Sequence, residues 1–73
     1  MSKELEILKK KIGSRIRARR EELRISQEDL AFRADVTATY LSQIEAGRRN
    51  PSLAVLYSIC LALEMDLSGL VRL

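Results

Sequence analysis

Apolar side chains recur at helical spacing along most of the 73-residue chain. In its first third, leucines and isoleucines return every three or four positions with charged residues between them, which predicts one long amphipathic helix over residues 4–23. Gly13 stands inside this helix, where glycine costs about 1 kcal/mol relative to alanine. A second apolar stripe predicts a helix over residues 52–63; its members are Leu53, Leu56, Ile59, Cys60 and Leu63.

Capping residues mark two shorter helices in the middle of the chain. Ser26, followed three residues later by Asp29, resembles a capping box and predicts a helix over residues 26–33. Thr37 is a suitable cap for the next helix, over residues 37–46.

Turn residues separate these segments. Asp35 is expected to make the turn between the two middle helices, because aspartate tolerates the left-handed conformation better than most residues. Gly47 is a suitable C-cap, and Asp66 is expected to cap a fifth helix over residues 66–71. The pattern therefore predicts an all-α fold, a single compact five-helix domain over residues 1–73.

The charge is unevenly distributed. The chain has a net charge of +3, yet residues 9–24 contain eight basic side chains against Glu21 and Glu22, so the remainder is acidic overall. Such asymmetry indicates a polyanionic partner. The alternative interpretation is a solvated helix face.

Composition excludes several classes of protein. No stretch approaches the ~18 continuous apolar residues of a membrane span, and the N-terminus lacks an apolar signal core. The single cysteine, Cys60, excludes an internal disulfide, so we expect a cytoplasmic protein. From a chain of this length we expect no second, small-molecule effector domain. With no histidine and no glycine-rich phosphate loop, we expect no enzyme, no catalytic residue, no bound metal and no cofactor.

The segment 26–52 carries the strongest functional signal. It predicts two short helices joined by a tight turn and followed by a basic loop, Arg48-Arg49-Asn50-Pro51. Leu41 and Ile44 would face the core, so the second helix would present small polar side chains outward. That arrangement is typical of a helix-turn-helix, which fits the DNA major groove.

Over residues 11–71 the chain resembles the lambda-repressor-like, Cro-type helix-turn-helix regulators of bacteria and phages. Four runs carry the resemblance: SQEDLA at 26–31, YLSQIEAG at 40–47, RRNPSL at 48–53 and LALEMDLSGL at 61–70. The longer run from Ser26 to Asn50 is most similar to the controller proteins of restriction-modification systems.

The resemblance implies specific residue roles. Base-contacting positions of the recognition helix would be Thr37, Ala38, Thr39, Ser42 and Gln43. Contacts to the DNA backbone would come from Gln27, Tyr40, Arg48, Arg49 and Asn50. Arg20 and Glu45 would form a structural ion pair between the first and third helices. The sequence departs from the family where Asp35, Arg24-Ile25 and Glu64 stand in place of the usual turn glycines.

The groove-facing chemistry favours A·T pairs. No charged side chain lies between Thr37 and Gln43, so this helix offers no arginine for guanine. Gln43 can bond bidentately to adenine, and the methyl groups of Ala38 and Thr39 can pack on thymine.

A single helix-turn-helix reads few base pairs, so we expect a homodimer that reads an inverted repeat in double-stranded DNA, with RNA polymerase as a further candidate partner. The C-terminal segment is rich in apolar residues that could form the dimer interface: Leu53, Leu56, Tyr57, Leu67, Leu70, Val71 and Leu73. Phe32 and Tyr57 are expected to pack in the core or over the dimer seam rather than to stack on bases.

Two alternatives belong to another class. The chain could be an antitoxin whose main partner is a toxin protein. It could also be an adaptor that contacts transcription proteins instead of bases. The joint presence of Gln27, Gln43, Arg48 and Arg49 argues against the adaptor.

Overall fold

The computed structural model describes residues 2–73; the predicted domain over residues 1–73 also includes Met1, which lies outside the described residues. Within them the chain forms helices only: α1 (Lys3–Glu22), α2 (Gln27–Ala34), α3 (Ala38–Glu45), α4 (Leu53–Leu63) and α5 (Leu67–Val71). The predicted all-α fold is confirmed. The predicted bounds differ from these by at most one residue at each end, chiefly because the predicted ranges counted capping residues as helical.

Side-chain hydroxyls cap the starts of the first four helices. Ser26 Oγ accepts a hydrogen bond from the Asp29 amide at 3.0 Å. The reciprocal half of the predicted capping box is absent, because the Asp29 carboxylate pairs instead with Arg33 at 3.1 Å. Asp66 holds the N-cap position of α5 but makes no side-chain capping bond, which corrects the predicted cap. The remaining capping residues are Ser2, Thr37 and Ser52.

The same backbone motif ends four of the described helices. After α3, the Arg48 amide bonds to the Gln43 carbonyl at 2.9 Å and the Gly47 amide to the Ile44 carbonyl at 3.0 Å. This pair of bonds is the Schellman motif, which needs a left-handed residue just past the helix. Gly47 is that residue after α3; after α1, α2 and α4 it is Arg24 (φ 58°), Asp35 (φ 59°) and Glu64 (φ 53°). The turn expected at Asp35 is therefore confirmed.

One aliphatic core joins all five helices. Helix α2 packs against α3 and α4, while α1 crosses α3, α4 and α5. The largest fully buried side chains of this core are Ile16, Leu30, Leu41, Ile44, Ile59, Leu63 and Leu70. Each such side chain contributes about 1.5–3 kcal/mol relative to exposure, so the two short helices of the middle segment depend on this packing.

Two aromatic side chains do not pack as the core alternative required. Phe32 is 86% exposed and Tyr57 is 56% exposed. Phe32 lies on the side of α2 opposite its buried residues Leu30, Ala31 and Ala34, so core packing was the wrong prediction for it. Cys60, by contrast, is buried as expected.

Among the described residues, no helix combines the length and the apolar character required to cross a membrane.

Candidate nucleic-acid interface

Helix α3 presents an uncharged polar face to solvent. Leu41 and Ile44 anchor it in the core, and at 3.6 residues per turn this directs Thr39, Ser42 and Gln43 outward. None of these three side chains forms a hydrogen bond with another of the described residues, so their donors and acceptors are available to a ligand. Three of the five predicted base-contacting residues therefore share one face of α3.

Two further members of that set are partly committed to the protein. The Thr37 hydroxyl accepts the Tyr40 amide at 3.0 Å as the N-cap of α3. It can still donate its own proton outward. Ala38 is half-buried against the core, so its methyl group is available only in part.

Glu45, at the end of the same helix, does not present its charge to a ligand. Its side chain is only 3% exposed, and its carboxylate accepts two hydrogen bonds from Arg20, at 2.8 and 3.1 Å. Gln27 donates a third bond to the same carboxylate at 3.0 Å. This network ties α1, α2 and α3 together, and the ion pair expected from the resemblance is present.

The electrostatics of the pair follow from this geometry. The hydrogen bond that Arg20 donates to the Glu45 carboxylate raises the pKa of Arg20 above its ordinary value, although burial acts in the opposite direction. The guanidinium therefore stays charged throughout the physiological range. A buried carboxylate with this partner does not repel an approaching phosphate as an exposed one would.

A cationic loop flanks the polar face. Arg48, Arg49 and Asn50 are exposed after α3. The Arg49 guanidinium lies over the Tyr40 ring, 5.0 Å from its centre. Thr37, Tyr40, Arg49 and Asn50 line one open cleft together with Val36. The structure thus brings most of the predicted backbone-contacting residues together beside the recognition helix, while Gln27 lies at the start of α2 and faces Glu45.

Most basic side chains of α1 pair with acidic groups or main-chain carbonyls of the protein itself. Helix α1 is therefore not the free cationic surface for a polyanion that the sequence suggested. Lys9 pairs with Glu6 and Arg17 with Glu21. Arg20 pairs with Glu45, and Lys11, Arg15 and Arg19 donate to main-chain carbonyls. Most of the basic side chains that cause the charge asymmetry therefore make contacts within the domain.

Lys10 is the exception that lies beside the cationic loop. It is exposed, and its backbone packs so closely on Gly47 that a Cβ placed there would come within 3.1 Å of the Lys10 Cα. Lys10 forms no hydrogen bond or ion pair with the described residues. It therefore adds a positive charge next to Arg48 that the sequence did not single out.

The apolar residues proposed for the dimer interface separate into two groups. Leu56 and Leu70 are 7% and 0% exposed, so they belong to the core of one protomer and that part of the prediction is corrected. Leu67 and Val71 are half-buried. The exposed members are Leu53, Tyr57 and Leu73, and Leu61, which the sequence reading missed, extends the stripe along α4 at 63% exposure. The spacing 53, 57, 61 could have revealed it.

No described cluster of His, Cys, Asp or Glu has three members placed to hold a metal ion. Burial raises the pKa of the Cys60 thiol above its ordinary value of 9.0, with a smaller contribution from the charge of Asp66. A protonated, buried thiol is a poor nucleophile, so Cys60 acts as a small core residue.

Comparisons with known proteins agree with this geometry. A family model described as helix-turn-helix matches residues 16–70. The immunity repressor protein of Bacillus phage phi105 is 40% identical over 60 residues, which cover 82% of this chain and 42% of that repressor. The chain thus spans less than half the length of that relative. Control protein C.MunI of Mycoplasma sp is 39% identical over 86% of each chain.

Two solved structures are similar along nearly their whole length. The restriction-modification controller protein C.AhdI from Aeromonas hydrophila superposes with a TM-score of 0.85 and 32% identity, covering 89% of this chain and 94% of that one. The P22 c2 repressor, solved in complex with a synthetic operator, superposes with a TM-score of 0.80 and 33% identity, covering 84% and 92%.

Proposed function

The chain belongs to the helix-turn-helix family, and from that premise we propose that it is a sequence-specific DNA-binding regulator of transcription that acts as a homodimer on inverted-repeat operators. The observation that carries the proposal is the outward face of α3, where Thr39, Ser42 and Gln43 have no partner among the described residues. This face is flanked by the exposed Arg48 and Arg49. No catalytic step is part of the proposed activity, which we assign to the cytoplasm.

The division of labour follows from the chemistry of each group. Thr37, Thr39, Ser42 and Gln43 would read base edges in the major groove, with Ala38 contributing part of a methyl contact. Arg48, Arg49 and Lys10 would contact phosphates, which supply affinity without sequence preference. Because these contacts release counterions, binding should weaken steeply as salt rises.

Gln27 has a more restricted part in this proposal than the sequence suggested. Its amide nitrogen donates to Glu45, which leaves one N–H for a phosphate and its oxygen for solvent. Tyr40 and Asn50 share the cleft of Arg49 and would hold the DNA backbone beside it.

We assign the dimer interface to α4 and α5. The stripe of Leu53, Tyr57 and Leu61 supports this, because exposed apolar residues one helical turn apart form a continuous contact ridge. In a two-fold dimer the same ridge contacts its own copy, which suits an inverted repeat. Leu67, Val71 and Leu73 would extend the contact.

The controller-protein role is the more specific form of the proposal. C.MunI and C.AhdI are covered over most of their own length, as the P22 c2 repressor is but the phi105 immunity repressor is not, and each is named as a control or controller protein. We therefore propose that this chain binds operators near its own promoter and regulates its own synthesis.

Selection of bound duplexes from a random-sequence pool at about physiological salt tests the function. Enrichment of an inverted repeat with half-sites about one turn, ~34 Å, apart is the expected result. Enrichment of no sequence would overturn sequence-specific binding and favour a protein partner, such as a toxin, instead.

Sedimentation of two matched variants tests the interface. Tyr57→Lys places a charge in the α4 stripe, whereas Phe32→Lys removes a still more exposed aromatic side chain from α2, outside the assigned interface. We expect a monomer for the first and a dimer for the second. A Tyr57→Lys protein that remains dimeric would rule out the assigned interface.

A further inference from the structure

Three basic side chains on α1, spaced four residues apart, donate hydrogen bonds to main-chain oxygens at the ends of α4 and α5 and in the residues just beyond α5. We call Lys11, Arg15 and Arg19 the α1 ladder. Arg19 Nε donates to the carbonyl of Leu63, the last residue of α4, at 2.9 Å. Lys11 Nζ donates to the Leu73 main-chain oxygen at 2.7 Å.

Arg15 holds the central position of the ladder. Its Nη1 donates to the carbonyl of Leu70, in the last turn of α5, at 2.9 Å, and to the carbonyl of Arg72 just beyond that helix. The last carbonyls of a helix lack internal partners and lie at its negative end, so a guanidinium satisfies them and also interacts favourably with the helix dipole. Bonds to a charged donor are about twice as strong as neutral ones.

The opposite side of α1 is fixed to the recognition helix. A Cβ at Gly13 would come within 2.4 Å of the Ile44 carbonyl oxygen, so the backbones of α1 and α3 are in direct contact there. Arg20 then joins α1 to Glu45 at the end of α3. Helix α1 therefore connects the recognition helix to the C-terminal part of the domain: one side contacts α3 and the other contacts the ends of α4 and α5.

We propose that the α1 ladder, and Arg15 above all, is a specificity-determining device that sets which half-site spacing the dimer accepts. The inference rests on the proposed function, since it takes α4 and α5 as the dimer interface and α3 as the reading helix. In a two-fold dimer the separation and rotation of the two α3 helices follow from the pose of α3 relative to the interface helices. The ladder acts on that pose through α1, alongside the packing of α2 against α3 and α4.

DNA geometry makes this pose measurable. Each base pair added between the half-sites increases their separation by about 3.4 Å and rotates one half-site relative to the other by about 35°. A rigid dimer can therefore match only one spacing well. A dimer whose C-terminal helices shift on α1 can accommodate neighbouring spacings.

The decisive comparison is Arg15→Met against Arg17→Met. Arg17 lies on the same helix and loses the same charge, but it is 64% exposed and pairs only with Glu21, not with α4 or α5. Affinities are measured on duplexes that carry the selected half-sites at the best spacing and at one and two base pairs either side. Thermal melting of each protein accompanies the titrations.

We expect wild type and Arg17→Met to share one sharp optimum. In Arg15→Met, the affinity ratio between the best spacing and its neighbours should fall about fivefold or more, the lower end of usual coupling between sites. The base preference within each half-site should stay unchanged. A merely structural role would lower stability and affinity at all spacings without altering that ratio.

Each outcome discriminates. An unchanged ratio in folded Arg15→Met overturns the inference while leaving the proposed function intact. A wild-type protein that binds DNA without any spacing optimum overturns the dimeric function itself. Should Arg15→Met fail to fold, Arg15→Gln, a shorter and neutral side chain that removes the charged donor, takes its place, and a spacing profile identical to wild type would count against the inference.

Discussion

The Glu45 carboxylate, at the end of the recognition helix, is gripped by the Arg20 guanidinium of α1 through two hydrogen bonds of 2.8 and 3.1 Å. Both side chains are largely withdrawn from solvent, at 3% and 12% exposure. A charge in that position is tolerable only while its partner remains. The relationship therefore determines what mutation of either residue does.

Glu45→Ala should destabilise the domain by about 3–5 kcal/mol, because it leaves the Arg20 charge buried without its partner. For a domain of this size most of the stability would be lost, and DNA binding would disappear through unfolding. Thermal melting with circular dichroism measures the effect. The double variant Arg20→Met with Glu45→Leu is the control and should recover much of the loss. A Glu45→Ala protein that melts like wild type would contradict the assignment.

Gly13→Ala should destabilise the domain although alanine is the better helix former. The added Cβ would lie 2.4 Å from the Ile44 carbonyl oxygen and 2.6 Å from that of Glu45, and both are backbone atoms that cannot rotate away. We expect a loss of about 1–3 kcal/mol, typical of overpacking. Gly69→Ala in α5 is the matched control. Nothing lies within 4 Å of its added Cβ, and it should gain up to about 1 kcal/mol. Equal effects at both sites would refute the contact.

Glu64→Gly should stabilise the domain. A non-glycine residue in the left-handed region costs the folded state about 1–2 kcal/mol, and glycine removes this cost. Glycine also makes the unfolded chain more flexible, which offsets about 0.5–1 kcal/mol of that gain. The net expectation is a gain of about 0.5–1 kcal/mol, or several degrees in melting temperature. Glu64→Ala serves as control, because it removes the charge and keeps the strained φ of 53°. No difference between the glycine and alanine variants would show that φ carries no cost there.

Gln43→Ala should relax sequence preference at one base position and cost about 1–3 kcal/mol of binding free energy. Its side chain has no hydrogen-bond partner among the described residues, so stability should stay within about 0.5 kcal/mol of wild type. Selection from a random duplex pool checks the preference, and Ser68→Ala, an exposed polar residue of α5, is the control. Full retention of the wild-type preference would remove Gln43 from the reading set.

Stability should decline in alkaline solution through Cys60. Burial raises the pKa of the folded thiol above its ordinary value of 9.0, so the unfolded chain loses this proton first. The contribution of the thiol is complete below pH 9.0 and is lost as pH rises toward the folded pKa, at no more than about 1.4 kcal/mol per pH unit. Denaturant titrations between pH 8 and pH 10.5 compare wild type with Cys60→Ala. If the free energy of unfolding fell equally with pH in both proteins, the loss would not come from Cys60.

The sequence was sufficient wherever one residue determines a local outcome. Apolar periodicity located α1 and α4, and the hydroxyls of Ser26 and Thr37 marked the starts of α2 and α3. Leu41 and Ile44 define the inner side of α3, so helical periodicity places the polar residues between them and around them on the outer side. These features depend on neighbours within a few positions.

Contacts between distant segments were less accessible. Arg15 and Arg19 were interpreted as surface charge, because nothing in the sequence shows that main-chain carbonyls 55 and 44 residues away, respectively, lie within reach. Phe32 read as a core or interface residue, since aromatic side chains are usually buried, yet it stands on the outer side of α2. Leu70 was assigned to an interface although the monomer already buries it. In each case tertiary packing decided where the side chain went.

The side chains that face outward from α3 also differ from the rest of the helix in how little depends on them. Thr39, Ser42 and Gln43 bond to nothing else among the described residues, while Leu41, Ile44 and Glu45 carry the packing and the ion pair. Drift at the outer positions therefore meets little resistance from folding. A duplicated gene could acquire a new operator through two or three such substitutions, and an engineer could exchange the same positions between scaffolds to create regulators that ignore one another's promoters.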